Sequence, residues 1–245
     1  MTVTQQNSFY NHFSKNTPTR LGNWLTFHIS RQIFKFARIK KGSTLLEIGP
    51  GRGSFAKVCA ENNIDYWAIE PNTDMAAKLE NITSKVIRAK VPPLPDIKQK
   101  FDTVVMINVI EHIDSMSKAL ELSQQIYQTL KPGGKFLLGA PDYVNWGEYF
   151  FYCDFSHNYI TTLRRLRSLL ISAGFENIQT EYKSGPFKNS LAILISAISR
   201  RMPFCLLNAI FPQSKTIEKL NKLQVTFLRT VNICAEKNEA NKNDH

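Results

Sequence analysis

TLLEIGPGRGSF, residues 44–55, is the stretch of sequence that decides the fold. Its first half is a short apolar run that ends in glycine, which is typical of a buried strand. Its second half places glycine at positions 49, 51 and 53, and Ser54 opens a predicted helix. Glycines in such a loop let the backbone approach a ligand closely and adopt a positive φ. We therefore expect a strand, a ligand-binding loop and a helix in succession.

Strand and helix patterns alternate along the chain on both sides of this loop. Strands are predicted at 65–70, 85–88, 101–108, 135–140, 175–182 and 231–235, and helices at 8–38, 54–62, 72–81, 115–130 and 161–173. Alternation over about 140 residues predicts a doubly wound α/β fold, in which helices cover both faces of a parallel sheet. In such sheets ligands bind beyond the carboxyl ends of the strands.

The composition is that of an ordinary globular protein. Of the 245 residues, 43% are hydrophobic and 21% are charged, which excludes a disordered, collagen-like or coiled-coil chain. The four cysteines are scattered without a CxxC pair, so we expect a reducing, cytoplasmic compartment. We expect no secretory signal, because residues 1–13 lack a basic head followed by an apolar core. We also expect no membrane span, because the best apolar stretch is interrupted by Arg200, Arg201 and Pro203.

The net charge of +11 lies on two flanks of the chain. Residues 1–46 contain seven Lys and Arg and no acid, and residues 184–234 contain seven Lys and Arg with Glu218 as their one acid. The middle of the chain is nearly neutral. We therefore expect the middle to be an enzyme core and the flanks to meet an anionic partner.

The predicted domain organisation follows this charge pattern. Residues 1–40 are predicted to form an N-terminal helical lid. Residues 41–183 and 231–236 are predicted to form a ligand-binding core, and residues 184–230 are predicted to form a basic, apolar helical insertion. Basic residues beside an apolar helical face are typical of helices that lie on anionic membranes. The alternative is a helical cap that buries its apolar face on the sheet edge or in a homodimer.

The glycine loop differs from a dinucleotide-binding loop. The pattern GxGxxG would need glycine where the chain has Ser54, and Glu47 precedes the first glycine. A carboxylate at that place would repel a pyrophosphate, but it suits a cationic or amine-bearing cofactor. Glu70 ends the second strand, where a carboxylate accepts hydrogen bonds from ribose hydroxyls.

Four motifs in this order resemble the class I S-adenosylmethionine-dependent methyltransferases, and the stretch that follows them, 153–175, is similar to the branch that methylates sugars, quinones and natural products. The four motifs are LLEIGPGRGSF (45–55), YWAIEP (66–71), FDTVVMINVIEHI (101–113) and LKPGGKFLLGAP (130–141), and CDFSHNYITTLRRLRSLLISAGF (153–175) follows them. The resemblance implies a Rossmann-like, seven-stranded sheet that is mostly parallel with one antiparallel strand. It also implies a biosynthetic transferase whose cofactor is S-adenosylmethionine.

The resemblance further implies which residues bind the cofactor. They are Glu47, Gly49, Pro50, Gly51, Glu70, Pro71, Met75, Asn108 and Val109, with Tyr10 and Arg20 contributed by the lid. Glu47 is expected near the amino group of the cofactor, Glu70 at its ribose hydroxyls and Asn108 beneath its sulfonium arm. A helix-capping role is the alternative for Asn108.

A hydroxyl acceptor needs a base, and histidine titrates in the right range. His157 lies in the aromatic-rich stretch beyond the fifth strand, and Asp154 is near enough in sequence to orient its ring. We predict His157 as the catalytic base and Asp154 as its partner, with a helix-capping loop pair as the alternative. His112 is interpreted as a packed residue. Because Asp154 and His157 lack a third ligand, we expect no metal site.

The leading hypothesis is methyl transfer to a hydroxyl of a small molecule, a sugar-containing precursor or a lipid-linked intermediate in the cytoplasm. Peripheral contact with an anionic membrane and a homodimer are both left open. A nucleic-acid methyltransferase is one alternative, favoured by the charge. However, the fourth strand ends in NVIE at 108–111 rather than Asn-Pro-Pro-aromatic, so we do not expect nucleic acid as a partner. A cofactor-binding scaffold without catalysis is the other alternative.

Overall fold

The computed structural model describes residues 19–239 of the chain. The helices are α1 (Arg20–Phe36), α2 (Ser54–Glu61), α3 (Thr73–Leu79), α4 (Met116–Thr129), α5 (Tyr143–Trp146), α6 (Tyr149–Tyr152), α7 (Leu163–Ser172), α8 (Asn189–Arg200), α9 (Phe204–Ile210) and α10 (Lys215–Thr226). The strands are β1 (Thr44–Ile48), β2 (Asp65–Ile69), β3 (Val86–Ile87), β4 (Phe101–Ile107), β5 (Leu130–Pro141), β6 (Glu176–Ser184), β7 (Phe187–Lys188) and β8 (Thr230–Glu236). A single 3₁₀ turn, Ile110–His112, follows β4.

One eight-stranded sheet, in the order β3-β2-β1-β4-β5-β8-β6-β7, forms the centre of the fold. Strands β1 to β5 are parallel, and β8 runs antiparallel between β5 and β6. The predicted doubly wound, mostly parallel sheet is therefore confirmed. The predicted count of seven is wrong by one strand, because the two-residue β7 turns back on β6 after Gly185, whose φ is +53°.

The central strands are buried because helices cover both faces of the sheet. Successive side chains of β1 point to opposite faces of the sheet, and they therefore pack in two different hydrophobic clusters. Leu45 packs with residues of α1 and α2, such as Phe34 and Phe55, on one face. Leu46 packs with residues of α4 and α7, such as Leu122, on the other face. Continuous apolar runs of this kind are typical of strands covered on both sides.

Strand β1 aligns the carboxyl ends of its two neighbours. It pairs in parallel on both sides, so that Ile48 lies opposite Ile69 of β2 and opposite Met106 of β4. The residues that follow these three strands therefore emerge at one edge of the sheet. The sheet itself thus brings the predicted cofactor residues together.

A buried ion pair fixes the β5–α7 loop (residues 142–162) to the start of β8. Asp142 Oδ2 accepts a hydrogen bond from Arg229 Nε at 2.7 Å, and the two side chains are 1% and 13% exposed. The backbone of Arg229 closes the same junction. Its N–H donates to Asn145 Oδ1 at 2.8 Å, and its carbonyl accepts from Trp146 Nε1 at 2.7 Å. The position of the loop over the sheet therefore depends on this pair.

We expect Arg229→Met to lower the free energy of unfolding by about 3 kcal/mol, because it leaves the carboxylate of Asp142 buried without its cation. Urea unfolding followed by circular dichroism measures the change. The matched control is Arg31→Met, which breaks an exposed ion pair with Glu61 and should cost less than about 1 kcal/mol. Equal losses in the two variants would contradict the assigned role of the buried pair.

Candidate functional site

The loop after β1 presents its backbone to open space. Gly49 and Gly51 have φ values of +70° and +53°, which favour glycine. A Cβ atom at Gly49 would lie 2.4 Å from Val109 Cγ2, so a side chain there would collide with the residues after β4. A Cβ atom at Gly51 would meet no atom of residues 19–239 within 4 Å. A ligand can therefore approach the backbone at Gly51.

Glu70, which follows β2, ties two loops to this edge. Its carboxylate is buried and accepts hydrogen bonds from the N–H of Gly51 at 3.0 Å and the N–H of Asn72 at 2.9 Å. Burial raises the pKa of Glu70, while these two N–H donors lower it. Each carboxylate oxygen has about two lone-pair sites, so both oxygens can accept a further bond. Two neighbouring hydroxyls of a ribose would fit this geometry.

Glu47 faces the interior rather than the loop surface. Its Oε2 accepts a hydrogen bond from the hydroxyl of Tyr66 at 2.5 Å. Burial raises the pKa of Glu47 to about 8, and the bond from Tyr66 opposes this shift. The neutral carboxyl therefore predominates at pH 7. Its expected place near the amino group of a cofactor stays a prediction.

Other residues predicted to bind the cofactor follow the ends of β2 and β4. Pro71 is exposed directly after Glu70, while Met75 is buried in α3. Asn108 is exposed with a φ of +54°. The 3₁₀ turn that follows has Val109 at its N-cap position, so the alternative role of Asn108 as a helix cap is wrong.

The other expected cofactor residues belong to the glycine loop and the lid. The carbonyl of Pro50 accepts a hydrogen bond from the N–H of Gly53 at 3.0 Å, which closes the turn. Arg20 is exposed at the first residue of α1. Tyr10 lies outside the described residues. Roles for Arg20 and Tyr10 in cofactor binding therefore stay predictions.

Glu111, His112 and His157 meet just beyond β4. One nitrogen or oxygen atom of each side chain lies within 4.8 Å of the others, and the two imidazole centroids are 4.9 Å apart. The β5–α7 loop is held here because the N–H groups of Asn158 and Tyr159 donate to the carbonyl of Glu111, at 2.8 and 3.0 Å. We call these three side chains the histidine cluster.

The ring of His157 is oriented by a backbone carbonyl. Its Nδ1 lies 2.6 Å from the carbonyl oxygen of Phe150. Since a carbonyl only accepts hydrogen bonds, Nδ1 carries the proton and Nε2 carries the lone pair. The prediction that Asp154 orients this ring is therefore wrong. Sequence spacing alone cannot show that the loop folds back to place a carbonyl at Nδ1.

Asp154 supports His112 through a serine instead. Its Oδ1 accepts hydrogen bonds from the N–H of Ser156 at 2.9 Å and from the hydroxyl of Ser156 at 2.6 Å. The hydroxyl oxygen in turn lies 2.8 Å from Nδ1 of His112. Because the serine proton points to the carboxylate, the oxygen accepts from His112 Nδ1–H. Both histidines of the cluster thus carry their proton on Nδ1.

Burial keeps the histidine cluster uncharged near neutral pH. It lowers the pKa of His112 and of His157, against the charge of Asp154, which raises both values. Burial also raises the pKa of Glu111 to about 8. Within residues 19–239, Glu111 Oε2 has no hydrogen-bond partner. Neutral imidazoles with a fixed lone pair can take up a proton or bind a metal ion.

The three side chains of the histidine cluster were not predicted to lie together. No metal site was expected because Asp154 and His157 lack a third ligand, but the fold brings Glu111 and His112 to His157. This three-ligand set corrects the premise of that expectation. The signal was present in the sequence, because Glu111 and His112 are ionisable residues placed directly after the buried fourth strand.

A cleft of about 670 Å³ opens beside the β5–α7 loop. It lies between the start of α7 and the ends of β6 and β8, and its lining includes Arg164, Arg167, Tyr182 and Arg229. Arg229 is paired with Asp142, while the other arginines add positive charge to the wall. The cleft therefore suits an anionic group.

Comparison with known proteins identifies the domain family. A family model described as "Methyltransferase domain" matches residues 26–180. Among curated proteins, phosphoethanolamine N-methyltransferase 2 of Caenorhabditis elegans is 29% identical over 172 residues, which cover 65% of this chain and 38% of that protein. The chain thus spans much less than the full length of this relative.

Solved structures share the fold. A methyltransferase of Archaeoglobus fulgidus, described as SAM dependent, superposes with a TM-score of 0.58 at 22% identity, over 85% of this chain and 93% of that chain. The Haemonchus contortus phosphoethanolamine N-methyltransferase 2, in complex with phosphomonomethylethanolamine and S-adenosylhomocysteine, gives a TM-score of 0.60 at 22% identity. This match covers 86% of this chain and 52% of that chain.

We expect the imidazoles of His112 and His157 to titrate below the ordinary histidine pKa of 6.5, because burial disfavours their charged forms. Asp154→Asn should lower both pKa values further, because it removes a nearby negative charge. Nuclear magnetic resonance of the ring protons measures both titrations. Unchanged values in the variant would contradict the electrostatic role assigned to Asp154.

Proposed function

The chain belongs to the family of methyltransferase domains, and we propose that it transfers the methyl group of S-adenosylmethionine to a hydroxyl of a small, sugar-containing or lipid-linked biosynthetic molecule. The family confirms the enzyme class that the four sequence motifs predict. The histidine cluster just beyond β4 is the observation that carries the choice of acceptor, because a hydroxyl must lose its proton during methylation.

The glycine loop and Glu70 fit S-adenosylmethionine. The cofactor supplies a methyl group on a sulfonium, which is already reactive. The related fold of Haemonchus contortus is a complex with S-adenosylhomocysteine, which supports the same cofactor here. In this chain, Glu70 would accept the ribose hydroxyls, and the open backbone at Gly51 would lie against the ligand. Asn108 emerges at the same edge of the sheet.

His157 is the proposed general base. Its Nδ1 proton is held by Phe150, so the lone pair on Nε2 is available for the proton of the acceptor hydroxyl. Because burial lowers its pKa, the imidazole is neutral and able to accept that proton at pH 7. Burial also excludes water, so the protein's own groups position the acceptor oxygen. The negative charge of Asp154 raises the pKa of His157 without a direct hydrogen bond to its Nδ1, which Phe150 occupies.

A phosphorylated amine is the second candidate acceptor. The Caenorhabditis elegans and Haemonchus contortus relatives are phosphoethanolamine N-methyltransferases. The arginine-lined cleft beside the β5–α7 loop would suit the phosphate of such a compound. Direct assay with phosphoethanolamine distinguishes the two candidates. The nucleic-acid alternative gains no support, and the methyltransferase family weighs against a scaffold without catalysis.

We expect Glu70→Ala to weaken binding of S-adenosylmethionine by about a hundredfold or more, because two hydrogen bonds to a charged group are each worth about 1.5–3 kcal/mol. Isothermal titration calorimetry measures the affinity. The matched control is Glu80→Ala, whose exposed carboxylate pairs with Arg88 and should leave affinity unchanged. Unchanged affinity in Glu70→Ala, or tight binding of NAD by the wild type, would contradict the cofactor site.

We expect His157→Ala to lower turnover by about 10²–10⁴, the usual contribution of a positioned base, without changing cofactor affinity. Transfer of label from S-adenosylmethionine into fractionated cell extract measures turnover. Asp154→Asn should lower turnover less than His157→Ala, since Asp154 influences His157 by its charge while the backbone carbonyl of Phe150 orients the ring.

Two results would contradict the assignment of His157 as the general base. A His157→Ala variant that keeps more than about a third of wild-type turnover would show that positioning alone suffices. Loss of wild-type activity with a chelator, restored by a divalent cation, would assign His157 and its cluster to metal binding instead.

A further inference from the structure

Helices α8 and α9 and the turn between them expose a series of large apolar side chains. Its residues recur every three or four positions and are between 40% and 62% exposed: Leu191, Leu194, Ile198, Met202, Leu206 and Ile210. We call these six residues the apolar face. The alternative in which the insertion buries this face on its own sheet edge is therefore wrong. An exposed apolar series of this length marks an interaction surface.

The opposite side of the same helices is anchored to the protein. Ala192, Ser196 and Ser199 of α8 are buried, and α8 packs on β6. Gln224 of α10, itself buried, donates from its amide nitrogen to the carbonyls of Ser199 at 3.0 Å and Met202 at 2.7 Å. The small, polar side of α8 therefore faces inward, and this fixes the outward orientation of the apolar side chains on α8.

The segment that carries the apolar face is rich in cations. Arg201, Lys215 and Lys219 are exposed, and Glu218 is the one acid among residues 184–234. Glu218 is itself paired with Lys222 at 2.5 Å. Apolar side chains bordered by lysine and arginine match the interface of an anionic bilayer, where acyl chains lie beneath negative headgroups.

A second copy of the chain fits this surface less well. In a two-fold symmetric dimer the same patch meets itself, and residues 184–234 offer seven Lys and Arg but a single acid to complement them. An anionic lipid surface instead supplies the complementary charge.

The insertion is suited to lie on a membrane rather than to cross it. Taken together across the short turn between them, α8 and α9 (Asn189–Ile210) are the one candidate membrane span in residues 19–239 by length and composition. However, Arg200 and Arg201 lie near its middle, and its inner side is hydrogen-bonded to α10. A spanning helix would have to give up these bonds and bury both charges in hydrocarbon.

We propose that helices α8 to α10 dock the enzyme on an anionic membrane surface, with the apolar face inserted at the headgroup boundary. The docked surface adjoins the β5–α7 loop, because Arg200 donates to the carbonyl of Val144 at 3.2 Å. The same loop exposes Phe151, Tyr152 and Phe155. Docking therefore brings the loop that carries His157 to the bilayer, where a lipid-linked acceptor would reside.

Co-sedimentation of the full chain with vesicles tests the proposal. We expect binding to phosphatidylcholine vesicles that contain phosphatidylglycerol, weakening as salt rises, and much weaker binding to phosphatidylcholine alone. The double variant Ile198→Gln/Leu206→Gln should lose about tenfold or more in affinity. The matched control Leu21→Gln/Met116→Gln removes apolar side chains elsewhere that are more exposed than Ile198 and Leu206, at 69% and 67%, and should bind as the wild type does.

A second set of variants tests whether binding to anionic vesicles requires the cations of the insertion. Arg201→Gln/Lys219→Gln should weaken binding to anionic vesicles about fivefold for each cation removed at low salt, whereas Lys57→Gln/Lys78→Gln on α2 and α3 should not. No binding at low salt, or equal binding to both kinds of vesicle, would overturn the proposal. A dimer in ultracentrifugation that Ile198→Gln/Leu206→Gln dissociates, without vesicle binding, would assign the face to a second copy. These outcomes are independent of methyl transfer.

Discussion

The parallel pairing of β1 with β2 and β4 is the constraint on which the site depends. Because Ile48 aligns with Ile69 and with Met106, the chain leaves three strands at the same level. A glycine loop, a buried carboxylate and an exposed asparagine then share one edge. Glu70 locks this edge by accepting an N–H from the loop after β1 and another from the loop after β2.

The sequence predicted most of the core because its signals are local. Continuous apolar runs located the strands, and glycine and proline patterns located their ends. The glycine loop and Glu70 could be placed without coordinates, since position at a strand end follows from topology. The hairpin of β6 and β7 was missed because a two-residue strand has no periodicity to detect.

The histidine cluster shows where sequence reasoning fails. His112 and His157 are 45 positions apart, and tertiary hydrogen bonds, such as those from Asn158 and Tyr159 to the carbonyl of Glu111, bring them together. The partner of His157 is a main-chain carbonyl, which any residue type supplies. The exposure of the apolar face was equally hidden from the sequence, because helical spacing indicates an apolar face and not what covers it.

The central claim is that the nucleoside of S-adenosylmethionine rests on Glu70 with its sulfur directed toward the histidine cluster. A crystal structure with S-adenosylhomocysteine tests it most directly. The account predicts the ribose hydroxyls within hydrogen-bond distance of the Glu70 carboxylate and the sulfur on the side of Asn108 and His157. A nucleoside bound away from Glu70, for example in the arginine-lined cleft beside α7, would contradict it.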